Sequence, residues 1–291
     1  MQAALRRAQE LEKAGRSSEA IQTYRQVLDS DPKCLRALVG LGRSYYVSGE
    51  FAQASANFEK GLQLRPADPE ILNWLGRSYL RERRPEKVLE LLSREGSSSS
   101  NSASIHMLRA RAYDAQDKLE EAIQEIQRAL ELDPHFHGAH FALGFIAWST
   151  GNMASAEKEL QQELRLDPHE RLAAYYLAEV LEKRGKFSEA DAVLTEMEHD
   201  APNTYLYHLA AGKAQERKKN YRLAAEHYQE AIRLDPKQPE AHYRLGLAQT
   251  ALGEHAKAKE EFAVFTQLHS QTEGGVGHGM GRMRPHLPDF H

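Results

Sequence analysis

Along the chain, apolar residues recur three and four positions apart in runs of about a dozen residues, the spacing of one buried helix face, and the runs break at glycine or proline. The breaks are themselves periodic. Pro32, Pro66, Pro134, Pro168, Pro202 and Pro236 are spaced by 34, 68, 34, 34 and 34 residues. A fixed period of this size marks a tandem array of helical hairpins. With each proline at position 32, eight repeats start at residues 1, 35, 69, 103, 137, 171, 205 and 239.

Within a repeat, apolar residues near positions 4, 7, 8 and 11 predict a helix over about 2–14, and those near 20, 24, 27 and 28 predict a second over about 18–31. Position 8 is small throughout (Ala8, Gly42, Gly76, Ala110, Gly144, Ala178, Gly212, Gly246), and position 20 is alanine except at Val88. Position 24 is bulky, as in Tyr24, Phe58, Leu160 and Phe262. Small residues let the two helix axes approach, and the large one fills the space beside them. Glycine at position 15 (Gly15, Gly49, Gly151, Gly185, Gly253) suits the left-handed end of the first helix. Proline at 32 ends the second.

The pattern small-8, Gly-15, Ala-20, bulky-24, Pro-32 at period 34 resembles the tetratricopeptide repeat (TPR) family, and stretches such as AHYRLGLAQTALGEHAKAKEEF and LEEAIQEIQRALELDP are similar to its two helices. The resemblance covers residues 1–270. It implies an all-α, right-handed superhelical solenoid of antiparallel helix pairs whose first helices line a concave groove, and a protein-interaction scaffold or adaptor as function. The family's clamp for chaperone tails needs Lys, Asn, Asn, Lys and Arg at set places. Repeats 1–3 carry Leu5, Gln9, Gly40, Glu70 and Trp74 there, which speaks against that mode of binding. The asparagine ladder of the sugar-transferase members is also missing.

Three places depart from the period. Around residues 96–102 the second helix of repeat 3 gives way to Gly96 and Ser97–Ser100, which reads as a degenerate linker or as a hinge. In repeat 8, Phe262, Phe265 and Leu268 lie on a helix that no ninth repeat would cover, an edge suited to self-association. The tail 271–291 is rich in glycine and histidine, and its composition predicts disorder.

Charge and composition narrow the function. With 38 Lys+Arg against 42 Asp+Glu, the net charge of -4 lacks the basic excess of a nucleic-acid or anionic-membrane binder. The one cysteine, Cys34, excludes an internal disulfide or a thiolate cluster. Neither a signal peptide nor a membrane span stands out, so a cytoplasmic location is the expectation. No dinucleotide loop, Walker lysine motif, HExxH or nucleophile elbow is present, so neither catalysis nor a cofactor is expected. His135, His137 and His140 fall close enough to suggest a metal, but His106, His140, His208 and His242 all occupy position 4, which makes packing the better account and leaves no metal site expected.

The first helices carry a second stripe at positions 2, 5, 6, 9, 12 and 13, which the resemblance identifies with the groove. Arg43, Arg77 and Arg111 share position 9 in three successive repeats, a ladder suited to carboxylates or phosphates and so to an acidic or carboxy-terminal peptide. Trp74 lies beside it, and farther along come Phe141, Phe145, Trp148, Tyr175 and Tyr176. These nine residues are the expected peptide site, with Phe145 as an exposed anchor, although tyrosine and arginine at such positions are also ordinary lining. A competing expectation is a regulatory or targeting portion of a larger enzyme or secretion complex.

Overall fold

The period becomes helices because each repeat hides one stripe of two helices and stops both with a built-in chain reversal. The computed structural model describes residues 2–94, 102–273 and 286–287. Among these, every element is a helix: α1 (Gln2–Lys13), α2 (Ser17–Ser30), α3 (Leu35–Val47), α4 (Phe51–Leu64), α5 (Pro69–Arg81), α6 (Pro85–Arg94), α7 (Ala103–Asp114) and α8 (Leu119–Leu132). There follow α9 (Ala139–Ser149), α10 (Met153–Leu166), α11 (Arg171–Lys183), α12 (Phe187–Asp200), α13 (Tyr205–Arg217), α14 (Tyr221–Leu234), α15 (Pro239–Ala251) and α16 (His255–Glu273). Odd-numbered helices are the first, and even-numbered the second, of their repeats. The chain forms two compact lobes, Met1–Ala139 with His286–His291, and His140–Pro285. The linker or hinge expected at 96–102, apart from Ser102, and most of the tail lie outside the described residues, but α7 packs on both α5 and α6.

Helices begin and end about one residue earlier than the periodicity predicts, and the turn explains why. Position 15 has positive φ in all eight repeats. Five use glycine there, and Arg83, Asp117 and Lys219 occupy the same left-handed conformation at φ of 60°, 58° and 60°. The N–H of position 15 donates to the carbonyl of position 12, and that of position 16 to position 11, as in Gly49 to Tyr46 at 3.1 Å and Glu50 to Tyr45 at 2.9 Å. This double bond pattern is the Schellman ending, which satisfies carbonyls the helix leaves open. At the other end, the aspartate before proline accepts from the N–H two residues on, at 3.0–3.2 Å in Asp133 to His135, Asp167 to His169 and Asp235 to Lys237.

The expected contact between positions 8 and 24 packs the hairpins of repeats 2, 5, 7 and 8, whereas Gly76 of repeat 3 meets Leu108 of the next repeat. A Cβ at Gly42 would stand 2.7 Å from Phe58, one at Gly144 2.8 Å from Leu160, and one at Gly212 2.4 Å from Tyr228. These large side chains are buried in their lobes: Tyr24, Phe58, Leu72 and Ile105 in the first, Leu209, Tyr228 and Leu245 in the second. Tyr24 and Tyr228 also donate to the position-12 glutamates Glu12 (2.8 Å) and Glu216 (2.7 Å), which keeps a buried hydroxyl paired. In repeat 5, the buried carboxylate of Glu163 accepts from the N–H of Phe141 at 3.0 Å and so closes the start of α9.

Candidate functional site

In the N-terminal lobe the stripe on the first helices carries charge. Arg43, on α3, donates to Glu12 of the preceding repeat at 2.7 Å and reaches Glu70 of the following one at 3.4 Å. A concavity of about 370 Å³ opens beside it, lined by Gln9, Val39, Gly40, Arg43 and Glu70. Arg77, on α5, lies over Trp74 and Tyr46, with its guanidinium carbon 4.9 Å and 5.4 Å from the ring centres. Arg111, on α7, is pushed down to about 10 by burial and by the neighbouring Arg77 and Arg81, while Tyr46 and Asp114 pull it back up. It stays charged at neutral pH. The expected ladder thus has unequal rungs: Arg43 is held between two glutamates, Arg77 lies over Trp74 and Tyr46, and Arg111 is buried within reach of Arg77, Arg81 and Asp114.

Asp114 is the residue that periodicity did not single out. It sits at position 12 of repeat 4, its side chain 1% exposed, and its Oδ2 accepts from the backbone N–H of Leu287 at 2.7 Å. Leu287 is itself buried, and His286 Nδ1 stands 3.6 Å from the same oxygen. An acid on an arginine-bearing face was the available sequence signal. The segment it holds, 173 residues away in the chain, carries none.

In the C-terminal lobe the stripe is aromatic and then ionic. The ring of Tyr176 meets Trp148 at 4.8 Å, Phe145 at 5.1 Å and Phe141 at 5.9 Å between centres, in tilted and edge-on contacts. Phe141 is 0% exposed, Phe145 2% and Tyr175 5%. Phe145 is therefore not the exposed anchor that its position suggested, because Trp148 and Tyr176 close over it. Those two are half-buried and form the accessible part of the cluster. The indole N–H of Trp148 is buried with no acceptor among the described residues. Farther along, Lys213 on α13 donates to the Tyr175 hydroxyl at 2.6 Å, and its ammonium pairs with Glu179 of the preceding repeat and, at 2.6 Å, with Glu240 of the next.

The position-4 histidines find partners inside their own hairpins. His106, His140 and His242 bond through Nδ1 to Glu125 (2.6 Å), Glu159 (2.8 Å) and Glu261 (2.7 Å), each 19 residues on. Burial opposes charge on Glu125, yet His106 and Arg109 hold its carboxyl below the usual range. His135 and His137 are exposed. Among the described residues no three His, Cys, Asp or Glu side chains are grouped to hold a metal, and no helix is long and apolar enough to cross a membrane. At the far end, Tyr243 covers part of the expected edge, with its ring 6.0 Å from Phe262 and 5.2 Å from Phe265, while Val264 remains 37% exposed.

Comparison with known proteins places this arrangement. A match to "Anaphase-promoting complex, cyclosome, subunit 3" covers residues 48–129. The DnaJ homolog subfamily C member 7 homolog of Schizosaccharomyces pombe is 27% identical over 143 residues, a match covering 41% of this chain and 29% of that protein. The chain thus spans under a third of that relative. Among solved structures, a tetratricopeptide repeat protein from Parabacteroides merdae superposes with a TM-score of 0.68 at 16% identity, covering 85% of this chain and 98% of that one. The Cut9–Hcn1 hetero-tetramer of the anaphase-promoting complex gives 0.66 at 16% identity, over 83% and 48%. Human IFIT1 bound to m7Gppp-AAAA gives 0.60 at 17% identity, over 87% and 68%. These identities establish a shared fold. The description "Tetratricopeptide repeat" matches residues 5–53, 107–170, 141–203 and 240–272, and "TPR repeat" matches 212–253. With these matches covering more than half of the chain in register with its own 34-residue period, the protein belongs to the tetratricopeptide repeat family.

Proposed function

We propose that the chain is a protein-interaction scaffold that binds an extended peptide segment of its partner along the stripe of its first helices. The observation that carries this reading is the clustering of Arg77, Arg81 and Arg111 on neighbouring first helices, close enough for the two others to depress Arg111. Guanidinium groups gathered on one face suit the carboxylates of an acidic peptide, whose oxygens they can meet two at a time. In the C-terminal lobe, taken by itself, the half-buried rings of Trp148 and Tyr176 offer an aromatic patch of the kind that anchors peptide side chains. The assemblies named for similar proteins, such as the Cut9–Hcn1 hetero-tetramer, are in keeping with a scaffold.

A peptide-display selection tests it. The wild-type protein is expected to enrich acidic sequences that an Arg77→Glu, Tyr176→Ala double variant of unchanged helical circular dichroism does not retain. Equal enrichment on both proteins would overturn the reading.

A further inference from the structure

Repeat 7 departs from the pairing of a position-4 histidine with a glutamate nineteen residues on. Position 23 is here His227, on α14, and its Nδ1 stands 3.1 Å from Nδ1 of His208, on α13. The ring centres are 5.4 Å apart and the planes are inclined by 43°. A neutral imidazole carries one N–H and one lone pair, so this contact holds a single proton between two nitrogens and obliges the rings to adopt opposite tautomers. Burial holds both imidazoles below the ordinary histidine value, so two uncharged nitrogen donors face each other at neutral pH.

Uncharged imidazole is the form that binds zinc, copper and nickel ions. Zinc holds an imidazole nitrogen at about 2.0–2.1 Å, which at a tetrahedral angle sets two such nitrogens about 3.3 Å apart. From 3.1 Å, a slight parting of the rings and a turn about their Cβ–Cγ bonds bring both lone pairs to one point. The surrounding charge favours a cation: Glu230 acts on His208, and Glu198 and Glu226 on His227, against Arg233, which Glu230 itself binds at 2.5 Å. Both rings are half-buried, which leaves an approach from solvent.

We propose that His208 and His227 form a two-histidine site for a divalent transition-metal ion of the zinc class, bound through both Nδ1 atoms with water in the remaining positions. The shared proton passes through solvent to Nε2 of the ring that carried it, and the ion takes its place as the tie between α13 and α14. Water completes the set because, among the described residues, no three His, Cys, Asp or Glu side chains are grouped for a metal. Positions 4 and 23 lie off the groove stripe, so the site stands or falls apart from the scaffold reading.

The test uses the full chain, freed of metal by a chelator, with zinc chloride as probe at about pH 7.5. Nitrogen NMR of the histidine side chains in wild type is expected to show Nδ1 of His208 and of His227 shifting together over the first equivalent of zinc, while Nδ1 of His242, held by Glu261 at 2.7 Å, stays unshifted. In calorimetry, His208→Gln and His227→Gln, each with unchanged helical circular dichroism, should weaken that equivalent about ten-fold or more. Glutamine at the exposed His135 and His137 should leave it as in wild type. Zinc that fails to shift either Nδ1, or that shifts only one of them, overturns the proposal. An equivalent that survives both substitutions also overturns it and assigns the zinc to histidines elsewhere on the surface. The NMR readout needs no variant, so it decides the matter even where a substitution unfolds the chain.

Discussion

His208 and His227 face each other through their Nδ1 atoms at 3.1 Å, in the place where three other repeats pair a histidine with a glutamate. Burial lowers both imidazoles below the ordinary histidine value of 6.5, and His227 lowers His208 further. Glu230 pulls His208 up and Arg233 pushes it down, while Glu198 and Glu226 pull His227 up. The unfolded chain therefore takes up protons that the folded one refuses, so this pair's contribution is kept above about pH 6.5 and is lost as pH falls below it. Replacing His227 by glutamate recreates the pairing of the other repeats. The His227→Glu variant is expected to melt a few degrees higher than wild type at about pH 5.5, roughly 1 kcal/mol, and to gain nothing at about pH 8. A gain that is equal at both would count against this account.

The hairpin contact between positions 8 and 24 separates two glycines of the same helical type. A methyl at Gly212 would stand 2.4 Å from the fully buried Tyr228 ring, whereas one at Gly61 meets Ile71 at 3.5 Å, an ordinary contact. Gly212→Ala should cost about 1–3 kcal/mol through overpacking. Gly61→Ala should stabilise by about 0.5–1 kcal/mol, because alanine favours the helix interior. Denaturant unfolding of the two variants, compared at equal m-value, checks both signs.

Truncating Phe145 acts on folding. At 2% exposure under Trp148 and Tyr176, its loss leaves a cavity, and Phe145→Ala is expected to cost about 3–5 kcal/mol. Urea titration gives the answer directly, with a change under about 1 kcal/mol placing the ring at the surface after all.

Lys219 holds a left-handed conformation at φ 60°, which four-carbon side chains adopt at a cost that glycine avoids. Lys219→Gly should therefore raise stability by about 1 kcal/mol, while Gly151→Ala, at φ 84°, should lower it by a similar amount. Thermal melts of the pair test whether the turn itself, and not the residue in it, sets the geometry.

Much of the fold was legible in the chain because the repeat samples each position eight times. Small residues at 8 against bulky ones at 24, and glycine at 15, announced the packing and the turn. Arg83, Asp117 and Lys219 at position 15 could not be recognised alone; only the shared register shows that the surrounding turn imposes their conformation. The histidine–glutamate pairs were present as a 19-residue spacing, but histidine at position 4 suggested packing without naming its partner. At the candidate site, Arg77 and Arg111 share position 9 of their repeats, but the ring contacts of the first and the burial of the second carry no sequence signal. Phe145 does not stay open, since periodicity assigns a face of one helix and says nothing of which ring closes over it. The contact of Asp114 with Leu287 lay beyond reach, since no period links a residue of the array to one outside it.

Lys213 bridges more than its own neighbours' backbones: one ammonium ties α11, through Tyr175 and Glu179, to α15, through Glu240. In a stack where each repeat touches only the next, the last hairpin could peel away at the expense of a single interface. With three consecutive repeats sharing one charge, opening at α15 takes only Glu240 from the ammonium, whereas loss of α13 takes it from Tyr175 and Glu179 together, so the second step of fraying from that side should cost more than the first.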